Sequence, residues 1–316
     1  MYREQIKVLD CTIRDGGLIN NHQFDERFVR EVFRAVSAAG VDYMEIGYKN
    51  SRELFSSQEY GAWKFCDDDL IRVVVEGVEP AAKISVMVDV GRVNLDDIKP
   101  KNESPVDMIR VAAYSKDVDK AIKMVNDFHD KGYETTINIM AISHDHAPQL
   151  REAVTQIEEE SKADVVYIVD SFGSLYQEST EDLVKLFKSI VKTKEVGFHG
   201  HNHQQLAFSN TIEAIIHDAN FMDATVYGIG RAAGNCPLEL LIGFLKNPKF
   251  DLRPLLDLIS QEFIPLRQRI EWGYIIPYAI AGMLNEHPRA AMALRQSAQK
   301  ENYREFYEGL LNTGLE

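Results

Sequence analysis

The chain is poor in the residues from which staples, anchors and basic surfaces are made. Its three cysteines, Cys11, Cys66 and Cys236, are odd in number and scattered. That excludes a disulfide framework or a zinc knuckle and reads them as reduced thiols. No apolar run approaches the ~20 residues that a membrane-crossing helix needs. Positive charge is scarce too, 35 Lys and Arg against 49 Asp and Glu for a net charge of −14. With no basic patch, neither nucleic acid nor an anionic membrane is an expected partner. The opening Met-Tyr-Arg-Glu-Gln-Ile-Lys lacks the apolar core of a secretory signal, so a cytoplasmic location is expected. No Gly-x-Gly-x-x-Gly follows the first apolar stretch, which argues against a dinucleotide fold.

What the chain does have is a rhythm. Strand-like runs recur at Ile6–Gly17, Asp42–Tyr48, Lys83–Val90, Val106–Ala112, Thr135–Ser143, Asp164–Ser171, Val196–His201 and Met222–Gly228. Amphipathic helical patterns separate most of them, one capped by Asp25 and closed by Gly40, others near 118–131, 147–161, 179–192 and 204–218. Eight strands alternating with helices over ~250 residues is the pace of a (β/α)8 TIM barrel. Residues 249–316 read as helices. The expected division is a catalytic barrel over 1–248 and a C-terminal helical extension over 249–316, packing on the barrel or on a second subunit.

Two stretches far apart in the chain carry candidate chemistry. Near the start, a strand delivers Arg14 and Asp15 onto Gly16-Gly17; near residue 200, Phe198-His-Gly-His-Asn-His203 ends an apolar run. Side chains alternate along a strand, so His199 and His201 share a face. Closing a barrel makes strand 8 the neighbour of strands 1 and 7, which brings Asp15 to the histidines on the face where barrel active sites form. One carboxylate and two imidazoles make a three-ligand metal set with open positions. Arg14, always charged, can hold negative charge on an oxygen. Strand 8 leads into Gly228-Ile-Gly-Arg-Ala-Ala-Gly-Asn-Cys-Pro237, where Asn235 can offer a carbonyl oxygen to a metal or an amide to substrate.

Four pieces in this order, Thr12-Ile-Arg-Asp-Gly16, His199-Gly-His-Asn202, Leu206-Ala-Phe-Ser-Asn210 and Gly228 to Glu239, resemble the HMG-CoA lyase-like (DRE-TIM) metallolyase superfamily over roughly residues 5–245. The resemblance implies that Asp15, His199 and His201 are metal ligands, that Asn235 lies near or on the metal, and that Arg14 stabilises an enolate. Ile142-Ser-His-Asp-His146 and Val169-Asp-Ser-Phe-Gly173 are similar to turns of the 4-hydroxy-2-oxovalerate aldolase branch. They imply Ser171, His144 and Gly16 as substrate-binding positions, with Tyr274, or in its place Tyr278, an active-site tyrosine from the extension. Those aldolases place an acid/base histidine where this chain has Leu18. The candidates to replace it are His22, Tyr274, His203 and His287, in that order.

The implied activity is that of a carbon–carbon lyase, a metal-dependent aldolase on a 4-hydroxy-2-oxo acid working through a pyruvate enolate. Mn²⁺ or Mg²⁺ suits the ligand set, and Zn²⁺ is compatible with it. The implied partners are a small 2-oxo acid and an aldehyde, with a homo-oligomer or a dehydrogenase partner as further expectations. One rival is a Claisen-type acyl-CoA condensing enzyme resembling isopropylmalate synthase. The other is a metal-binding barrel without catalysis, serving as a binding subunit. Glu45 and Asp170 are expected to orient an imidazole or to stand as polar residues inside the barrel.

Overall fold

Eight parallel strands close on themselves in the computed structural model, which describes residues 3–313. They are β1 (Lys7–Asp10), β2 (Tyr43–Tyr48), β3 (Lys83–Asp89), β4 (Met108–Ala113), β5 (Glu134–Ile139), β6 (Val165–Asp170), β7 (Glu195–Gly200) and β8 (Phe221–Ala224). They follow one another round the barrel in chain order, and β1 pairs with both β2 and β8. Three expected strands end well short, β8 among them, which stops at Ala224. β1 stops at Asp10, and the chain turns at once into a short helix, α1 (Thr12–Gly16). There Asp15 N donates to the Cys11 carbonyl and Thr12 Oγ1 accepts from Val226 N at 2.8 Å. Gly16 and Gly17 therefore sit in right-handed helical backbone, not in a Gly-Gly turn. β5 stops at Ile139 because Ala141 takes a left-handed conformation that a ladder cannot continue.

Helices α2 (Glu26–Ala38), α3 (Asp68–Val75), α4 (Val118–Asp130), α5 (Ala147–Glu160), α6 (Gln177–Ile190), α7 (Ala207–Ile216) and α8 (Leu238–Leu245) cover the outside. α2 shows how the sequence writes one. The Asp25 side chain accepts Phe28 N at 2.7 Å to cap its start, and Phe28, Val29, Val32, Phe33 and Val36 form its buried stripe. Gly40, at φ +79°, ends it by admitting a conformation other residues resist. Each such fully buried side chain contributes roughly 1.5–3 kcal/mol.

Beyond the barrel, α9 (Arg253–Leu258) packs on α2, and α10 (Ile264–Arg267) follows. Then α11 (Ile276–Met283), α12 (Arg289–Gln296) and α13 (Tyr303–Thr313) form a group in which α11 packs against both others. Tyr278, Ala281 and Ala291 from this group close over Ala232 and Ala233 of the β8–α8 loop, which seats the extension at the barrel's C-terminal mouth. Among the described residues no helix is long and apolar enough to cross a membrane.

Candidate metal centre

The ends of β1, β7 and β8 lie together, as closure requires. Asp15 of α1, His199 of β7 and His201 just beyond it are all buried, and their ligand atoms lie within 4.8 Å of one another. His201 bridges Asn235 through the backbone. Asn235 Nδ2 donates to Asp15 Oδ2 at 2.5 Å and to the Ile229 carbonyl at 3.1 Å. Gly230 lets this loop approach so closely, since a Cβ there would stand 2.1 Å from Asn235 Nδ2 and 2.4 Å from Asp15 Oδ2.

The buried atoms of this group are set out as a cation would need them. His201 Nδ1 and Asn235 Oδ1 have no hydrogen-bond partner, and His201 Nδ1 stands 4.0 Å from Asp15 Oδ2. That gap is too long for a hydrogen bond and suits an ion between the two. Burial alone would raise the Asp15 pKa, but the charge of the Arg14 guanidinium beside it helps hold the carboxyl well below its usual range. Burial keeps His201 neutral. These are the protonation states that metal ligation needs, so the residues fit a divalent cation. Cys11, His199 and Asp223 also meet. There, however, burial pushes the Cys11 thiol up and Asp223 is engaged by Arg110.

Behind the ligands runs a buried ladder of charge. Arg14 Nε donates to Glu45 Oε2 and Arg14 Nη1 to Asp15 Oδ1, each at 2.6 Å. Arg110 Nη1 lies 3.2 Å from the same Glu45 oxygen, and Arg110 Nη2 donates to Asp223 Oδ2 at 2.6 Å. Asp223 Oδ2 in turn bonds His199 Nδ1 at 2.8 Å, which leaves His199 Nε2 for an ion. Although burial opposes ionisation, Arg110 and His199 hold Asp223 at about 2.

The sequence reading missed Arg110 and Asp223. Their signal was a charged residue inside a run that otherwise reads as a strand buried on both faces. Of the two expectations for Glu45 and Asp170, the structure takes the second: both are buried polar residues on barrel strands, and neither orients an imidazole. Glu45 clamps two guanidiniums, and the Asp170 carboxylate accepts Ser174 N and Leu175 N to shape the turn after β6.

A small pocket of about 80 Å³ opens in front of the ligands. Arg14, Asp15, His199 and His201 line it, as does Ser171, whose Oγ accepts Ala141 N at 2.8 Å and keeps its own proton to donate. Leu18 faces it with Met87, Ala112 and Met140, forming an apolar wall where a histidine was the family expectation.

Other expected site residues stand elsewhere. His22 is buried with its ring edge-on to Tyr48 at 5.4 Å and does not line the pocket. Gly16 packs on Ile229 and Phe24. His144 is exposed, its Nε2 2.7 Å from the Asn285 carbonyl. Tyr274 is 60% exposed and lines no part of the pocket, because the extension buries Tyr278 instead. His203 is fully buried beside Gly173 and Gly282 with both ring nitrogens unpartnered. His287 lines a larger chamber outside the pocket. Among the polar lining residues, three escaped the sequence reading: Tyr48, from the end of β2, Asn138 of β5, and Arg231, whose Nη2 donates to the Ser171 carbonyl at 3.1 Å.

Residues 5–261 match the HMGL-like family. The chain belongs to that family. Within it, the chain is 33% identical over 254 residues to a 4-hydroxy-2-oxovalerate aldolase of Thermus thermophilus, covering 79% of this chain and 72% of that protein. It is 30% identical over 246 residues to an oxaloacetate decarboxylase of Mycobacterium tuberculosis, covering 78% of this chain and 71% of the relative. Among solved structures, the N-terminal domain of a candidate aldolase from Bacteroides vulgatus superposes with a TM-score of 0.79 at 29% identity, covering 95% of this chain and all of that one.

Proposed function

We propose that this HMGL-like protein is a carbon–carbon lyase, a divalent-metal aldolase that cleaves or forms a 4-hydroxy-2-oxo acid through the enolate of pyruvate. The observation that carries the reading is Arg14, fixed between Glu45 and Asp15 and facing the same pocket as Asp15, His199 and His201. A merely structural metal would not need a buried guanidinium at its side. A divalent ion held by Asp15, His199 and His201, with Asn235 beside it, would supply Lewis acidity to the keto and carboxylate oxygens of the substrate. Mn²⁺ or Mg²⁺ suits this oxygen-bearing set, and Zn²⁺ is compatible with it.

The chain's own groups do the rest. Arg14 has Nε and Nη1 engaged, which leaves Nη2 to donate to the oxygen on which charge collects as the C3–C4 bond breaks. Ser171 donates its hydroxyl proton to the substrate carboxylate. Tyr48 lines both the pocket and the chamber beyond it, at the junction where the C4 oxygen would stand. Burial holds its phenol protonated, so it is placed to give a proton to that oxygen in the bond-forming direction. The wall of Leu18, Met87 and Met140 excludes water, which would otherwise protonate the enolate.

The test is pyruvate release from a panel of 4-hydroxy-2-oxo acids and oxaloacetate by metal-stripped protein, with and without Mn²⁺ or Mg²⁺. Metal-restored turnover that Asp15→Asn abolishes is the expected result. Metal binding with no turnover of any panel member rejects the reading.

A further inference from the structure

Beyond the pocket lies a chamber of about 910 Å³. Leu18, Tyr48 and Arg231 line both spaces, so the two are continuous. Ligand sites span roughly 300–1,000 Å³, and a two-carbon aldehyde would leave this one almost empty. The charge on its walls is reversed from that of the whole chain, which carries −14. Five cations, Lys64, Arg92, Lys120, Arg231 and Arg289, face two carboxylates, Asp89 and Asp117. Arg92 lies 3.4 Å from Asp89, and Lys120 lies 2.6 Å from Asp117. That leaves Lys64, Arg231 and Arg289 with no carboxylate within ion-pair distance among the described residues.

Lys64 is the strongest of the three. It is only 5% exposed. Its ammonium stands over the rings of Phe55 at 4.4 Å, Tyr48 at 4.6 Å and Tyr60 at 5.4 Å. Ring faces offset part of the charge, but they leave three N–H donors without a conventional acceptor. An ammonium on a side chain so enclosed, open to the cavity it lines, suits an anionic oxygen from outside the protein. Arg289, at the start of α12, lines the same chamber from the extension.

We propose that the outer chamber is the subsite of the aldehyde partner, and that this partner is a multi-carbon aldehyde ending in a phosphate or carboxylate held by Lys64 and Arg289. Arg231 lies along the path from that end to the reacting carbons. The inference rests on the aldolase reading, and the experiment separates the two.

The full-length, metal-loaded protein is given pyruvate with matched aldehydes: glycolaldehyde phosphate against glycolaldehyde, erythrose 4-phosphate against erythrose, and succinic semialdehyde against butanal. The expected result is a kcat/KM at least about tenfold higher for an anionic member than for its neutral match, as charge-assisted hydrogen bonds supply. The preference falls by a comparable factor in Lys64→Met and in Arg289→Ala. It is read as the ratio between the two aldehydes, so that general damage cancels. The phosphate and carboxylate pairs show which anion the site takes.

Exchange of pyruvate methyl protons in D2O without aldehyde reports enolate formation independently. Exchange together with parity between matched aldehydes, with no turnover of any anionic aldehyde, or with a ratio unchanged in both variants overturns this inference alone. Absence of exchange overturns the aldolase reading beneath it.

Discussion

Replacing Asp223 with Asn separates what the buried ladder does for the metal from what it does for the barrel. Asp223 Oδ2 receives Arg110 at 2.6 Å and His199 at 2.8 Å. An amide of the same shape can keep its oxygen at the Oδ2 position and still accept both bonds, but it carries no charge, so both bonds weaken and Arg110 loses half its countercharge. Breaking a buried ion pair from one side costs roughly 3–5 kcal/mol. Because Glu45 still faces Arg110 at 3.2 Å, a loss of about 3 kcal/mol in unfolding free energy is expected, measured by urea denaturation. His199 keeps an acceptor but loses the carboxylate charge that raises its basicity as a ligand, and metal affinity falls by about 10–100-fold. Calorimetric titration of Mn²⁺ into metal-stripped protein measures that fall. Affinity within twofold of wild type, alongside the expected stability loss, would show that Asp223 serves the barrel alone and would refute its role in holding the imidazole.

Further outcomes follow from the same geometry. Arg14→Lys cannot bridge Glu45 and Asp15 at once, and kcat for pyruvate release is expected to drop by about 10²–10³; a drop below threefold contradicts its place at the developing charge. Tyr48→Phe removes one pocket hydroxyl and should lower the bond-forming rate by about 10²–10⁴, which a coupled condensation assay reads directly. Gly230→Ala drives a methyl into Asn235 and Asp15, so Mn²⁺ affinity should fall at least about tenfold, the scale of lost metal-supporting contacts; unchanged binding would mean the loop yields freely. Burial, with Lys64 and Arg14 nearby, pushes His22 down from its ordinary 6.5 to about 3. The folded state thus keeps His22 neutral where the unfolded chain takes up a proton. Its contribution to stability is full above pH 6.5 and declines by up to about 1.4 kcal/mol per pH unit as pH falls toward 3. In His22→Asn the urea midpoint should depend less on pH between 7 and 4.5, and an identical slope in both proteins would refute the assignment.

The barrel was legible because parallel strands buried on both faces read as continuous apolar runs, and all eight stand out in the linear pattern of residues. Asp15, His199 and His201 were legible because a strand end followed by a short-range repeat of ligand types is local information. Arg110 and Asp223 were not, since their pairing depends on registers accumulated round the sheet, from β4 through β7 to β8. Tyr48 and Arg231 sit where nothing in a linear pattern separates a lining residue from a core or loop one. The choice between the extension's two tyrosines, Tyr274 and Tyr278, was not legible for a similar reason. Docking of α11 on Ala232 and Ala233 decides which side chain turns inward, and it turns Tyr278 in and leaves Tyr274 outside.

The ladder from Arg14 to His199 also governs how this protein can change over time. Glu45, Arg110 and Asp223 come from three different strands, and neutralising any one strands its neighbour's charge in a dry interior. Single steps at these positions are therefore steep descents, and only joint replacement crosses the gap. Variation is driven outward, to the mouth and the α11–α13 group, where a substitution meets solvent on one side. The interior would then keep one reaction through long divergence, while the rim explores partners.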